Sequence, residues 1–169
     1  MRIRGGLESD AAAIRAVHLG AFPTAAEADL VERLIAEGDA VVSLVAEEEG
    51  KVVGHVLLSR ARVDGDGRDY RGLGLAPIGV VADRQGAGLG SALVRAALEE
   101  AKARGEEIVF LLGDEAYYRR FGFRPEEAAP FASPYAGPHL MALRLGDVPL
   151  PASGRVDYAP AFAALDAQS

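Results

Sequence analysis

The sequence predicts a mixed α/β fold of the α+β kind, with helices flanking one central sheet. Two observations lead to this prediction. The β-branched runs Val41–Ala46 and Val52–Leu58, joined by the polar turn EEEGK, are typical of an antiparallel hairpin. Further along, a strand pattern, an amphipathic helical run and the continuous apolar run Ile108–Leu112 follow one another, which indicates a βαβ unit with a right-handed crossover.

Two helices are expected before the hairpin, after a short strand at Ile3. The acceptor side chains of the segment ESD, residues 8–10, favour the N-terminus of the first helix. The second helix, Ala25–Ala36, has an apolar stripe and stops at Gly38, which tolerates a left-handed backbone. The residues expected on the inner face of the first helix are Ile14, Val17 and His18.

The elements after the hairpin alternate between strands and helices. The segment Tyr70–Val81 predicts a long strand that its internal Pro and Gly residues distort. A glycine-rich segment then leads directly into an amphipathic helix that Gly105 closes, and Ile108–Leu112 follows as a strand buried on both faces. A short helix, Glu115–Arg120, and a last strand, Leu140–Leu145, complete the pattern.

Length and composition indicate one domain without disulfides or a metal site. With 169 residues, half of them hydrophobic, the chain is long enough to bury its own core. We expect a domain over residues 1–145 and a tail over residues 146–169 that packs on the same domain through Val156, Tyr158 and Phe162. Because the chain has no cysteine and three histidines, we expect no metal-binding residues.

Charge and hydropathy argue against nucleic acid and membranes as partners. The net charge of -7 is opposite to the basic footprint that nucleic-acid binders usually carry. The first ten residues, MRIRGGLESD, lack the apolar core of a signal peptide, and the longest apolar stretch, Leu73–Ala82, is about half the length of a membrane span. We therefore expect a cytoplasmic protein.

The segment RQGAGLGSALVRAALEEA, residues 84–101, places three glycines immediately before the amphipathic helix. A helix N-terminus exposes unpaired N–H groups, and glycines let a phosphate approach them. Two common phosphate motifs do not fit, because no Gly-Lys-Ser/Thr ends the segment and Ser91 stands where the dinucleotide fingerprint needs glycine. The spacing that remains is Gln85-x-x-Gly88-x-Gly90.

This spacing resembles the pyrophosphate-binding motif of the GNAT superfamily of acetyl-CoA-dependent N-acetyltransferases. A second stretch, YRRFGF at residues 118–123, is similar to the family's Tyr-x-x-Leu-Gly-Phe, with Phe121 in place of leucine. The longer strings LLGDEAYYRRFGF and GRVDYAPAF resemble a bacterial subfamily of predicted N-acetyltransferases. The resemblance implies a mostly antiparallel sheet of six to seven strands, in which the parallel strands four and five splay apart.

The resemblance also implies a cosubstrate, acetyl-CoA, and residues that bind it. Backbone groups of Ile78 and Val80 would pair with the pantetheine, the Val80 N–H would stabilise the oxyanion, and Tyr118 would act as general acid. The backbone of the motif would take the pyrophosphate. The motif residues assigned to cofactor binding are Gln85, Gly86, Ala87, Gly88, Leu89, Gly90 and Ser91.

The general base stays open at this point. Many family members carry a carboxylate on the fourth strand, but Tyr70–Val81 contains none. The candidates are Glu47, Glu48, His55 and His139, with deprotonation through an ordered water as an equal alternative. The missing carboxylate also keeps a second function open, a non-catalytic domain that binds or senses acyl-CoA.

The acceptor implied by the resemblance is a small-molecule or protein amine that attacks acetyl-CoA directly in a ternary complex. The acidic balance of the chain favours a cationic acceptor. The early helices and the loop Pro125–Pro138, which carries Phe131 and Tyr135, are expected to hold it, because loops over a rigid scaffold usually determine specificity. A homodimer is also compatible with this reading.

Overall fold

The computed structural model describes residues 1–167 and has eight strands and six α-helices within them. The strands are β1 (Arg2–Gly5), β2 (Ala40–Glu48), β3 (Lys51–Gly65), β4 (Arg68–Val80), β5 (Ile108–Leu112), β6 (Phe131–Ala132), β7 (Leu140–Arg144) and β8 (Gly154–Asp157). The helices are α1 (Ala11–Ala21), α2 (Ala26–Ala36), α3 (Leu89–Ala103), α4 (Glu115–Tyr118), α5 (Pro125–Ala128) and α6 (Phe162–Ala167). None of these helices is long and apolar enough to cross a membrane.

All strands join one sheet with the order β1-β2-β3-β4-β5-β7, while β8 pairs with β3 and β6. Neighbours are antiparallel except for β4 with β5 and β6 with β8, so the predicted fold class is confirmed. The sheet has more strands than the expected six to seven because β6 and β8 are too short to be predicted from a sequence pattern. Two residues are too few for a strand pattern, and GRVD in β8 carries a single apolar side chain, Val156.

The parallel strands β4 and β5 separate, as expected for strands four and five. They pair only from Gly72 opposite Ile108 to Gly74 opposite Phe110, whereas β4 continues along β3 as far as Val80. An extra residue in β4, between Leu75 and Ile78, shifts its register against β3 within this free segment. The last part of β4 therefore has β3 on one side and an open edge on the other.

Helices cover both faces of the sheet, and alternate strand residues point to each face. Leu57 belongs to the apolar cluster that α2 and Ile14 of α1 form on one face, while Leu58 belongs to the cluster beneath α3 on the other. Two glycines on neighbouring strands show which helix packs on each face. A Cβ on Gly54 would meet Leu93 of α3 at 2.9 Å, whereas a Cβ on Gly79 would meet His18 of α1 at 2.9 Å.

Residues 146–167 lie against the same sheet. Val156 in β8 pairs with Val63 of β3 and is buried. Phe162 is buried in the cluster with Leu34 of α2, and the Tyr158 ring packs against the Phe162 ring with 5.0 Å between their centroids. The boundary at residue 145 stays a prediction, and residues 168–169 lie outside the described part of the chain.

Candidate active site

A glycine loop connects the end of β4 to α3. After one 3₁₀ turn, Ala82–Arg84, the chain passes through Gly86 and Gly88, which have left-handed φ angles of 79° and 86°. L-residues rarely adopt such angles, so both positions favour glycine for conformational reasons. Gly88 is also the N-cap of α3 and has no side chain with which to cap the helix.

The first turn of α3 therefore presents backbone N–H groups without a side-chain cap, at the positive end of a 15-residue helix. This turn, the glycine loop and the end of β4 enclose a pocket of about 360 Å³. The predicted site residues that line the pocket are Val80, Gln85, Gly86, Gly88, Leu89, Gly90 and Ser91. Ile78, Ala87 and Tyr118 are not among its lining residues.

The Gln85 side chain has a clear structural role in this arrangement. Its Nε2 donates to the Val80 carbonyl at 2.9 Å, which ties the glycine loop back to the strand that precedes it. The pocket mouth is thereby held at a fixed position beside the open edge of β4. This hydrogen bond explains why a side chain with an amide donor suits position 85.

Three further side chains line the pocket, and the motif did not assign them to binding: Arg84, Tyr117 and Arg120. The Tyr117 hydroxyl lies 2.8 Å from Ser91 Oγ, and Arg120 Nε donates to the Tyr117 carbonyl at 2.8 Å. The Arg120 guanidinium also stacks 4.4 Å above the Tyr117 ring. The signal that could have pointed to Arg84 and Arg120 is the presence of two arginines close to the glycine motif in an acidic chain.

Arg84 is held by a carboxylate from the hairpin. Its Nε and Nη2 donate to the two Glu48 oxygens at 2.6 and 2.7 Å. This pairing lowers the pKa of Glu48 and raises that of Arg84. Glu48 therefore fixes Arg84 at the start of the glycine loop. Because both of its carboxylate oxygens are paired with Arg84, the structure does not support Glu48 as the general base.

Tyr118 is the last residue of α4, the short helix that follows β5. Helix α4 positions it, and the Asp114 side chain caps that helix by accepting from the Ala116 N–H at 3.0 Å. The Tyr118 ring packs against Phe123 and lies so close to Gly113 that a Cβ there would be 2.5 Å from it. Burial raises the pKa of the Tyr118 hydroxyl, which stays protonated and able to donate at neutral pH.

The other candidate bases differ in their surroundings. Glu47 accepts a hydrogen bond from Arg4 Nε at 2.9 Å, and His139 is exposed with Nδ1 3.2 Å from the Gly113 carbonyl. His55 is fully buried in β3. Phe131, expected beside the acceptor, is a core residue that packs edge-on against Phe110, and it also lines a pocket of about 400 Å³ with other residues of the loop 125–138.

His55 belongs to a buried chain of hydrogen bonds that the sequence did not reveal. His55 Nδ1 lies 2.8 Å from His18 Nε2, and His55 Nε2 lies 2.9 Å from Ser43 Oγ. Burial lowers the pKa of His18 to about 4 and that of His55 to about 3, so both rings are neutral at pH 7. Because His18 and His55 are far apart along the chain, no local pattern predicts this contact.

Comparison with known proteins connects this geometry to a family. A family model described as an acetyltransferase (GNAT) domain matches residues 2–125. The chain belongs to the GNAT acetyltransferase family. The matched region of this GNAT domain includes the glycine loop and Tyr118, while β6, β7 and β8 follow it.

Two relatives from Escherichia coli K12 are similar to this GNAT chain. It is 42% identical over 120 residues to the uncharacterized N-acetyltransferase YjhQ, a match that covers 70% of this chain and 66% of YjhQ, just under two thirds of that protein. It is 40% identical over 124 residues to the uncharacterized N-acetyltransferase YhbS, which covers 73% of each protein.

Two solved GNAT structures are similar over almost the whole chain. The E. coli YhbS structure in complex with CoA has a TM-score of 0.86 at 34% identity and covers 96% of this chain and 91% of its own. A GNAT acetyltransferase from Brucella melitensis in complex with acetyl-CoA has a TM-score of 0.78 at 35% identity and covers 95% and 97%.

Proposed function

We propose that this protein transfers the acetyl group of acetyl-CoA to a primary amine by direct attack in a ternary complex. The observation that carries the proposal is the uncapped N-terminus of α3, reached through a glycine loop and set beside the open edge of β4. The complexes of two similar GNAT proteins with CoA and acetyl-CoA support the choice of cosubstrate.

In this proposal the pyrophosphate of acetyl-CoA lies on the first turn of α3. The N–H groups from Gly86 to Ser91 donate to it, and the helix dipole favours its negative charge. Arg84 and Arg120 add positive charge at the same pocket. The pantetheine then runs along the free edge of β4, where backbone groups of Ile78 and Val80 pair with it.

The reaction requires a neutral amine, an oxyanion site and a proton for the leaving thiolate. An alkylamine has a pKa of about 10.4, so a proton must be removed before its nitrogen attacks the thioester carbonyl. We assign the Val80 N–H to the resulting oxyanion, a contribution of about 3 kcal/mol for such donors. Tyr118 is then assigned as the acid that protonates the thiolate of CoA.

A second function follows from one observation, the absence of a carboxylate on the free segment of β4. A domain of this kind would bind acyl-CoA and report on it without turning it over. The two functions share the pocket at α3 and differ in whether amine acetylation occurs, so binding measurements alone do not separate them.

The test is acetyl-CoA-dependent acetylation of a panel of amines, with thiol release and the mass of the product as readouts. The panel contains alkylamines, polyamines, amino acid esters and peptides with a free N-terminus or lysine. We expect turnover with at least one cationic member and none when acetyl-CoA is omitted. Tight acetyl-CoA binding without turnover of any panel member would instead support the sensing function.

A further inference from the structure

Residues 125–140 enclose a further pocket, with a volume of about 400 Å³. Its walls are apolar, and Glu126, which is exposed, is the one charged residue among the described residues that line it. A volume of this size is typical of sites for small molecules. The side chains that form the walls include those of Ala128, Phe131, Ala136 and Leu140. The pocket therefore suits an apolar group that carries no negative charge.

The pocket lies on the face of the sheet opposite α3. Phe131 and Leu140 share an apolar cluster with Phe110 of β5, whereas Leu111 belongs to the cluster beneath α3. In the proposed reaction the pyrophosphate of acetyl-CoA lies at the N-terminus of α3, so the cosubstrate reaches the gap where β4 and β5 separate from the α3 face. The opposite face is then the side from which an acceptor has access to the same gap.

Leu112, the last residue of β5, connects the pocket to this gap. It follows Phe110 by two positions, so its side chain points to the same face. Its partner on β7 is Leu140, which lines the pocket, and the two side chains are therefore neighbours on that face. On the other side of Leu112 the strand β4 has already separated, because its pairing with β5 ends at Gly74 opposite Phe110. Leu112 is 44% exposed and extends the apolar surface from the pocket to the gap.

Contacts at two further points place the pocket loop beside the gap. The Tyr158 ring would lie 3.1 Å from a Cβ on Gly74, the residue at which β4 leaves β5. Tyr135 of the pocket loop packs on that ring, with 5.4 Å between the ring centroids. The N–H of Gly113, in the turn before α4, donates to the His139 carbonyl at 3.0 Å. The loop is therefore held between the start of the gap and the turn that positions α4.

We propose that this pocket binds the apolar body of the acceptor, a small-molecule primary amine with an alkyl or aryl group and no anionic group. The inference rests on the proposed acetyl transfer. The amine nitrogen lies in the gap between β4 and β5, and the alkyl or aryl group passes over Leu112 into the pocket. The Glu126 carboxylate disfavours an acceptor with a carboxylate of its own, as does the net charge of -7 of the chain. Leu112 and the pocket loop thus determine specificity for the acceptor.

Acetylation kinetics with a series of amines tests whether the pocket takes an apolar group. Each methylene group that leaves water should raise kcat/KM about threefold, so we expect a steady rise from ethylamine through n-butylamine to n-hexylamine. The compound 6-aminohexanoate has a similar length but ends in a carboxylate, and we expect its kcat/KM to be at least about tenfold below that of n-hexylamine. Equal kcat/KM for ethylamine and n-hexylamine, or for n-hexylamine and 6-aminohexanoate, would overturn the proposal.

A substitution that fills the pocket assigns this dependence to the loop. Ala136 is exposed and lines the pocket, so Ala136→Trp places a large side chain in it. Ala132→Trp is the matched control, because Ala132 is an exposed residue of β6 outside the pocket lining. We expect Ala136→Trp to abolish the rise of kcat/KM with chain length, Ala132→Trp to retain it, and both variants to bind acetyl-CoA equally. The same rise in both variants would contradict the assignment.

Leu112→Ala tests the connection between the pocket and the gap. Leu7→Ala is its control, since Leu7 is also an exposed leucine, at 61%, and follows β1 at the opposite edge of the sheet. We expect Leu112→Ala to lower kcat/KM for n-hexylamine about tenfold, with a smaller loss for ethylamine, because three carbon atoms of the apolar surface are removed. Leu7→Ala should match the wild type with both amines. An equal loss for both amines in Leu112→Ala, or no loss, would show that the acceptor does not pass over Leu112.

An NMR titration separates this inference from the proposed function, because it needs no turnover. With CoA present, we expect n-hexylammonium to cause saturable shifts at the amide of Gly137, which lines the pocket, and ethylammonium to bind more weakly. No saturable shift in the wild type, or the same titration in Ala136→Trp, would overturn the inference. Binding without turnover of any amine would contradict the proposed acetyl transfer and keep the pocket as an amine site. Turnover that does not depend on chain length would contradict the inference and leave the function standing.

Discussion

The two motif glycines at positions 88 and 90 act for different physical reasons. Gly88 has a left-handed φ of 86°, and a Cβ there would meet no atom within 4 Å, so backbone conformation selects glycine. Gly90 has an ordinary helical backbone, and its Cβ would lie 3.8 Å from the Tyr117 hydroxyl, inside the pocket. The first glycine shapes the turn and the second keeps the pocket open.

The adjacent tyrosines 117 and 118 allow a direct test of the general acid. We expect Tyr118→Phe to lower kcat about 100-fold, because proton donation to the thiolate is lost, and to leave the acetyl-CoA Kd nearly unchanged. Tyr117→Phe is the matched control, since it removes the hydrogen bond to Ser91 at the pocket instead. We expect it to weaken acetyl-CoA binding with a smaller change in kcat.

Steady-state thiol release and calorimetric titration of each variant check this prediction. Unchanged turnover in Tyr118→Phe would remove Tyr118 from the mechanism. A larger loss of kcat in Tyr117→Phe than in Tyr118→Phe would move the acid to the tyrosine that lines the pocket.

At the scale of elements, the turn between β5 and α4 determines where Tyr118 lies. A Cβ on Gly113 would lie 2.5 and 2.7 Å from two Tyr118 ring carbons, so Gly113→Ala must displace the ring. We predict that Gly113→Ala lowers kcat to the level of Tyr118→Phe while acetyl-CoA still binds. Gly146→Ala is the control, because a Cβ there meets nothing within 4 Å. Wild-type kcat in Gly113→Ala would show that the ring position is not critical.

The elements that the sequence predicted well are those with long, regular patterns. Strand β5 has the predicted bounds, and the hairpin formed by β2 and β3 is longer than expected because its polar ends continue the pairing. The two-residue β6 carried too few residues for a pattern. Local motifs placed the glycine loop correctly, whereas the contact of His18 with His55 depends on how α1 packs on the sheet. Such a contact depends on tertiary packing, which local periodicity does not encode.

At the scale of the whole molecule, the buried histidine pair makes stability depend on pH. The folded pKa values of about 4 for His18 and about 3 for His55 lie below the ordinary value of 6.5, so the unfolded chain binds more protons between these limits. The contribution of the two neutral histidines to the free energy of unfolding is therefore fully present above pH 6.5, and it is lost as the pH falls towards their pKa values in the folded protein. For His18 alone the loss is on the order of 3 kcal/mol.

Urea denaturation between pH 7 and pH 4.5 measures this dependence. We expect the free energy of unfolding to fall steadily across that window, before the Asp10 carboxyl, whose pKa its pairing with Arg4 lowers to about 2, contributes. A free energy of unfolding that stays constant from pH 7 to pH 4.5 would contradict the buried, neutral state of both rings.

The most direct test of the central claim is calorimetric titration with acetyl-CoA of the wild type, Gly88→Glu and Gly38→Glu. Gly38 follows α2 and has the same left-handed backbone and open surroundings as Gly88, so its variant reproduces the strain away from the pocket. We predict that acetyl-CoA binds the wild type and Gly38→Glu, that Gly88→Glu abolishes binding, and that ATP and NAD bind none of them. Equal binding by Gly88→Glu and Gly38→Glu, or preference for ATP or NAD, would contradict the account.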